Sequence, residues 1–153
     1  MGFVESVLKE SRLRYREYKS HFPSPIWLTS ANQLIASYKV LARFATIDRH
    51  YAGWHAHHIV EAQDLERLGV ASSFPPYAEQ LAVLLPQAAH IRRINSVLRI
   101  EAPMGAVIPA HELLLAYQSA YSLMGNYSGG GEHKIRAELM AIARAIFQRA
   151  GLR

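Results

Sequence analysis

The stretch WHAHHIVE, residues 54 to 61, places three histidines within four positions, His55, His57 and His58. An imidazole with an ordinary pKa of about 6.5 can accept a proton from water, or bind a divalent metal ion, at neutral pH. Metal-assisted hydrolysis of a phosphodiester uses both of these operations. Adjacent histidines on a regular strand point to opposite faces, so His57 and His58 can share one phosphate only where the strand bends or bulges. The pattern therefore predicts an irregular strand at this pair.

A second segment with polar groups suited to phosphate chemistry follows about twenty residues later. LAVLLP, residues 81 to 86, is an apolar run ended by proline, which predicts a buried strand. Residues 87 to 100 then form a helical pattern that carries His90, and Pro86 suits the first turn of that helix. Guanidinium groups bind phosphate oxygens in a bidentate manner. Three arginines of this helix are therefore candidates for phosphate contacts: Arg92, Arg93 and Arg99.

These segments together resemble the HNH nuclease superfamily. The likeness is greatest to its toxin-nuclease branch, in which Ala-His-His or Gly-His-His opens the motif; here AHHIVE, the strand ending in LLP and His90 carry it, over residues 52 to 99. The resemblance implies a β-hairpin packed on a helix around one divalent metal ion, and an endonuclease that cuts DNA or, less often, RNA. It also implies the cytotoxic domain of a larger bacterial toxin, made in the bacterial cytoplasm, exported to act in a target-cell cytoplasm, and restrained by a cognate immunity protein.

The resemblance also implies roles for individual residues. His57 matches the first metal ligand, His58 the general base, and His90 on the following helix the far metal ligand. The ligand position four residues beyond His90 is Ile94, with Asn95 beside it. The metal is therefore held either by two side chains with waters and phosphate, or with Asn95 as a further ligand. Its identity stays open among Mg, Mn, Ni and Zn.

The remaining site residues have supporting roles. The middle asparagine of the family pattern falls near Gln80. Glu61 is placed to orient an imidazole, as carboxylates beside metal sites commonly do. His55 shares a strand face with His57 and is a candidate supporting residue. Arg93 is assigned to the catalytic group with His58, and the other two arginines to nucleic-acid binding.

We expect the elements that position these residues to form a mainly helical α+β fold in a single domain, residues 1 to 153. We expect a helical N-terminal part (1–50), the strand, loop, strand and helix of the motif as an insert (51–100), and C-terminal helices (101–153). Apolar periodicity predicts helices over 3–20, over 111–124 and over 133–150, and a helix from an N-cap at Thr29 or Ser30 through Ala45. Residues 61 to 77 look irregular apart from one helical turn near Asp64, and 125–132 looks like a linker.

The overall composition favours a polyanionic partner. The formal net charge is +5 and the pI is about 9.7. The absence of cysteine excludes disulfides and thiolate ligands, and no apolar run is long enough for membrane insertion.

The same histidines leave a second function open. They could hold a structural zinc ion in a non-catalytic module that binds nucleic acid or a protein. Chelation distinguishes the two functions, because a structural site unfolds without its metal.

Overall fold

The chain folds into a five-stranded sheet with helices on both faces, in the parts that the computed structural model describes: residues 2–13, 15–30, 32–86, 88–122 and 132–152, without the side chains of 88–92 and 132–135. The helices there are α1 (Phe3–Glu10), α2 (Tyr38–Ile47), α3 (Ala62–Arg67), α4 (Ala88–Glu101), α5 (Ala110–Tyr121) and α6 (Glu132–Arg149). The strands are β1 (Arg16–Glu17), β2 (Trp27–Leu28), β3 (Leu34–Ser37), β4 (Trp54–His58) and β5 (Leu81–Pro86). The structure is 53% helix and 15% strand, so the predicted mainly helical α+β class is confirmed.

The sheet is antiparallel, with the strand order β1-β2-β3-β5-β4. The apolar strand predicted for 81–86 lies inside the sheet, where β3 and β4 flank it. Its residues are buried on both faces, which explains why it is a continuous apolar run without alternation. The histidine strand β4 is an edge strand. It pairs only with β5 among the described strands.

Each face of the sheet contributes to a separate apolar cluster. On one face, Val83 and Leu85 pack with side chains of α1, α4, α5 and α6. On the other face, Ala82 and Leu84 pack with Leu41 and Phe44 of α2. Successive residues of β4 and β5 therefore enter different surroundings, and this separates the two neighbouring histidines.

The N-terminal helix is shorter than predicted. Its apolar stripe, Val4, Val7 and Leu8, is buried as expected, but α1 ends at Glu10. Arg12 has a φ of +59°, in the left-handed region that terminates a helix. Residues Arg16–Glu17 then form β1, so the prediction of one helix over 3–20 is wrong beyond residue 10.

The helix predicted from Thr29 or Ser30 is also wrong in its first half. The Thr29 backbone N–H donates to the Gln33 carbonyl at 3.1 Å, the Gln33 N–H donates to Thr29 Oγ1 at 3.1 Å, and Asn32 has a φ of +63°. These contacts make a hairpin turn between β2 and β3, and the helix begins only at Tyr38. The N-terminal part therefore contributes three strands to the sheet, and the predicted isolated hairpin is part of that larger sheet.

The other elements lie close to their predicted positions. The helix α4 follows β5 as expected, α3 extends the predicted turn near Asp64, and α5 and α6 match the two C-terminal patterns within a few residues. The predicted linker lies almost wholly outside the described residues. Within the described ranges, no helix has the length and apolar character needed to cross a membrane.

Candidate functional site

His58, the last residue of β4, is held in one tautomer by the backbone. Its Nε2 lies 2.9 Å from the Tyr77 carbonyl oxygen. Because a carbonyl can only accept a hydrogen bond, Nε2 carries the hydrogen and the neutral ring keeps its lone pair on Nδ1. Burial lowers the pKa of His58, and the hydrogen bond to Tyr77 opposes that shift. The ring is thus a neutral base at neutral pH, with Nδ1 as the proton acceptor.

Two tyrosines, here called the tyrosine clamp, enclose the His58 ring. Tyr38 stacks on it with ring centroids 4.4 Å apart and planes 5° apart, and the Tyr77 ring lies at 4.2 Å with a tilt of 55°. The Tyr38 and Tyr77 rings also contact each other, with centroids 5.1 Å apart and a tilt of 60°. The imidazole is therefore fixed in position as well as in tautomer.

The loop that carries the Tyr77 carbonyl is braced on both sides. Gln80, predicted as a supporting residue, donates from Nε2 to the Pro75 carbonyl at 3.1 Å. The Gln80 carbonyl accepts from the Tyr38 N–H at 2.9 Å, which ties the loop to the start of α2. An exposed ion pair between Lys39 and Glu79 at 3.1 Å joins the same two segments.

His57 and His58 leave β4 on opposite faces. His57 lies opposite Val83 and His58 opposite Ala82, and the next residue continues the ladder because the Ile59 N–H donates to the Leu81 carbonyl at 3.2 Å. The strand is therefore regular, and the predicted irregularity at this pair is absent. Side-chain alternation alone sends the two rings to the two apolar clusters.

His57 is almost fully enclosed, with 3% of its surface exposed. Its Nε2 lies 3.5 Å from the Tyr121 hydroxyl, whose own hydrogen is donated to the Ile59 carbonyl. Burial lowers the pKa of His57 to about 4, and the neighbouring His58 charge adds to the shift. His57 is thus a neutral imidazole at neutral pH, which is the form that binds metal.

Asp64 is the centre of a buried ionic network on α3. Its carboxylate accepts two hydrogen bonds from Arg99, at 2.8 and 2.9 Å, one from Arg67 at 3.3 Å, and one from the Tyr117 hydroxyl. The Tyr117 oxygen in turn accepts the Glu61 backbone N–H at 2.8 Å. Both terminal nitrogens of the Arg99 guanidinium are bound to the Asp64 carboxylate. The predicted phosphate contact of Arg99 stays a prediction.

Glu61 is a half-buried carboxyl at the N-terminus of α3. Burial, together with the Asp64 charge, raises its pKa to about 7, and the Arg99 guanidinium opposes the shift. Its predicted role of orienting an imidazole stays a prediction. The charged groups that act on it are those of the Asp64 network.

The other predicted site residues are spread over β4 and α4. His55 is exposed on the His57 side of β4, opposite Leu85, and Arg93 is exposed on α4. Asn95 is half-buried, and its Oδ1 is buried without a hydrogen-bond partner in the described part of the chain. The side chains of two further predicted residues lie outside the described residues: His90 and Arg92.

The described side chains, which leave out that of His90, contain no group of three or more His, Asp or Glu residues placed to hold a metal ion. The chemistry of the donors nevertheless suits a divalent ion. His57 offers a neutral ring nitrogen, Asn95 an amide oxygen without a partner, and α4 packs on both β4 and β5.

Sequence reasoning missed the tyrosines around the histidines. Tyr117 and Tyr121 are buried in the core, and their hydroxyls bind Asp64 and the Ile59 carbonyl. Nothing in the local sequence around Tyr38 or Tyr77 predicted a contact with a histidine. Their contact with His58 depends on pairing across the sheet and on the fold of the 61–80 loop.

The geometry defines an α+β protein with an oriented histidine base at the end of an edge strand. No known family model matches the chain, and no characterised protein or solved structure shows significant similarity to it. Its function is therefore argued from its own residues.

Proposed function

We propose that the protein is a metal-dependent endonuclease that hydrolyses phosphodiester bonds. DNA is the main proposed substrate, and RNA is the alternative. One observation carries the proposal. The His58 ring is clamped by two tyrosines, and its Nε2 is bound to the Tyr77 carbonyl, so Nδ1 is the ring nitrogen that can accept a proton.

The reaction uses His58 as the general base. Nδ1 takes a proton from the attacking water, the water oxygen bonds to phosphorus, and the bond from phosphorus to the leaving oxygen breaks. The lowered pKa of His58 keeps the ring unprotonated at neutral pH before the reaction. The parallel Tyr38 ring stabilises the positive charge that the imidazole then acquires.

A divalent metal ion, when bound, supplies charge stabilisation at the phosphoryl and leaving oxygens. His57 would hold it through a ring nitrogen and Asn95 through Oδ1. The HNH resemblance implies His90 as a further ligand. Mg, Mn, Ni and Zn all accept such a donor set to different degrees. Arg93, exposed on the same helix, is assigned to the phosphate.

The regular course of β4 adds a requirement. Because His57 and His58 point to opposite faces, one phosphate reaches both only if the end of β4 bends when metal and substrate bind. The strand is at the sheet edge, and His58 is its last residue, so a bend there breaks few ladder hydrogen bonds. On the resemblance, the chain would act as the toxic domain of a larger bacterial toxin that an immunity protein restrains.

The regular course of β4 also favours a second candidate function. In it the protein is a non-catalytic module that contains a structural zinc site and binds nucleic acid or a protein. Both imidazoles are 97% enclosed, and each has a protein neighbour within 3.5 Å. Histidines satisfied in this way also occur as ordinary core residues.

Plasmid DNA and RNA cleavage by the purified chain separates these functions. We expect cleavage with Mg, Mn, Ni or Zn, none in EDTA, and a loss of at least a hundredfold in His58→Ala. His111→Ala, at an exposed histidine of α5, is the matched control and should keep full activity. Cleavage that survives in His58→Ala would disprove the assigned base, and intact substrates with every metal would leave the non-catalytic module.

A further inference from the structure

A cleft of about 660 Å³ lies between residues 20–24 and the C-terminal half of α2, on the same side of the sheet as the tyrosine clamp. Arg43 and Arg49 line it together with Phe22 and Ile47. A cavity of this volume accommodates a compact small molecule or one nucleotide, but no double helix.

The rim of the cleft is cationic. Arg43 and Arg49 are exposed, and neither forms an ion pair with a residue in the described ranges. The acidic group at the rim is Asp48, whose carboxylate accepts the His50 backbone N–H at 2.9 Å. Two guanidinium groups against one carboxylate leave a net positive charge, which selects an anionic ligand.

The wall of the cleft is apolar and partly aromatic. Phe22 is held edge-to-face against the buried Phe44, with centroids 6.0 Å apart, and so presents a fixed surface. Ile47 is 58% exposed at the same cleft, which is unusual for so apolar a side chain. A flat apolar moiety joined to an anion fits both features, and a nucleotide has this composition.

The cleft is connected to His58 by one rigid element. Tyr38, which stacks on His58, is the first residue of α2, and the same helix carries Arg43 and Ile47. At the helical rise per residue, Arg43 lies about 8 Å and Ile47 about 14 Å further along the axis. A nucleic-acid strand that contacts His58 and follows α2 therefore brings its next nucleotides to the cleft.

We propose that this cleft is a subsite for an unpaired nucleotide next to the bond that is cleaved. Its phosphate binds Arg43 and Arg49, and its base packs on Phe22 and Ile47. The inference rests on the proposed nuclease function and names its substrate as single-stranded or locally unpaired nucleic acid. The ligand chemistry is common to DNA and RNA, so both are tested.

Binding of fluorescently labelled single-stranded DNA and RNA, measured by anisotropy in the His58→Ala chain, tests the subsite without cleavage. Arg43→Ala with Arg49→Ala should weaken binding at least tenfold. The slope of log K against log salt should fall by about 0.7, since one single-strand phosphate contributes roughly 0.7. The control, Lys9→Ala with Arg144→Ala, removes the same charge from exposed positions of α1 and α6 on the other side of the sheet.

The apolar wall has its own matched pair. Ile47→Ala should weaken binding several-fold, whereas Leu115→Ala, at a residue of α5 that is also 58% exposed, should not. The effect of Ile47→Ala should vanish when the probe lacks its bases, because only the base packs on this side chain. Circular dichroism checks that each variant remains folded.

Equal weakening by the two double variants would overturn the subsite, because net charge alone would then explain it. Tighter binding of a duplex than of the single strand would overturn the unpaired nucleotide. Wild-type cleavage with no specific effect of the Arg43 and Arg49 changes rejects the subsite and keeps the nuclease. The reverse result, specific binding without cleavage under any metal, keeps the subsite and rejects the nuclease.

Discussion

The His58 imidazole lies parallel to the Tyr38 ring, with centroids 4.4 Å apart and planes 5° apart. The two residues are twenty positions apart in the chain and come from an edge strand and from the first turn of a helix. Such a stack restricts the imidazole to one orientation and stabilises its protonated form. A general base benefits from both effects, since its nitrogen must be aligned before the proton moves and charged afterwards.

Replacing the Tyr38 ring should therefore impair turnover more than substrate binding. We expect Tyr38→Leu to lower kcat about tenfold or more with little change in KM, because the base loses its alignment. Tyr38→Phe keeps the ring stack and loses only the hydroxyl, so it should retain most of the activity. Steady-state cleavage kinetics with both variants test this. Equal activity of the two variants would show that the stack has no role in catalysis.

Removing the buried Asp64 carboxylate should destabilise the fold strongly. Asp64→Asn leaves Arg99 and Arg67 without their shared counter-charge, and breaking a buried ion pair in this way costs about 3 to 5 kcal/mol of unfolding free energy. Urea denaturation followed by circular dichroism measures the loss. Asp48→Asn, at a half-buried carboxylate outside this network, is the control and should cost much less. A loss below about 1 kcal/mol for Asp64→Asn would contradict the network's role.

Glu61 should make the protein less stable as the pH rises from 4.5 to 7. In the unfolded chain this carboxyl ionises near its ordinary pKa of 4.5, whereas in the folded chain it holds its proton up to a pKa of about 7. Between these values the folded state binds more protons, so the free energy of unfolding falls with pH, by about 3 kcal/mol in all.

Glu61→Gln has no such proton to hold. Its stability relative to the wild type should therefore increase across that pH window, as urea midpoints at several pH values would show. Glu66→Gln, at an exposed position of the same helix, is the matched control and should follow the wild-type curve. Parallel curves for Glu61→Gln and the wild type would mean that the carboxyl ionises normally.

Metal removal should abolish activity and leave the fold intact. The two apolar clusters and the five-stranded sheet are formed by the chain itself, so the metal is not needed as folding energy. We expect the thermal midpoint in EDTA to stay within a few degrees of that of the untreated protein, and cleavage to return with added metal. Unfolding in EDTA would instead support the structural zinc site.

His57→Ala and Asn95→Ala should each weaken metal binding in calorimetry. His55→Ala serves as the comparison, because this histidine is exposed on the His57 side of β4. Unchanged metal affinity in His57→Ala would remove that residue from the ligand set.

The sequence by itself determined the elements whose signals are local. Residues 81–86 are apolar throughout because β5 is covered on both faces, and the helices α4, α5 and α6 follow their apolar periodicity. A strand around the histidines was also predictable. Each of these follows from side-chain type and spacing within one segment.

Only the tertiary structure decided which partners these elements meet. The segment Leu34–Ser37 reads as the start of a helix, but pairing with β2 and β5 makes it a strand, because the ladder satisfies its backbone and the sheet buries its side chains. The same pairing starts α2 at Tyr38 and so brings that ring onto His58. The regular course of β4 sends His57 and His58 to opposite faces, whereas the sequence had predicted a bend at this pair. Contacts between distant segments depend on how the chain folds back, and no local pattern encodes them.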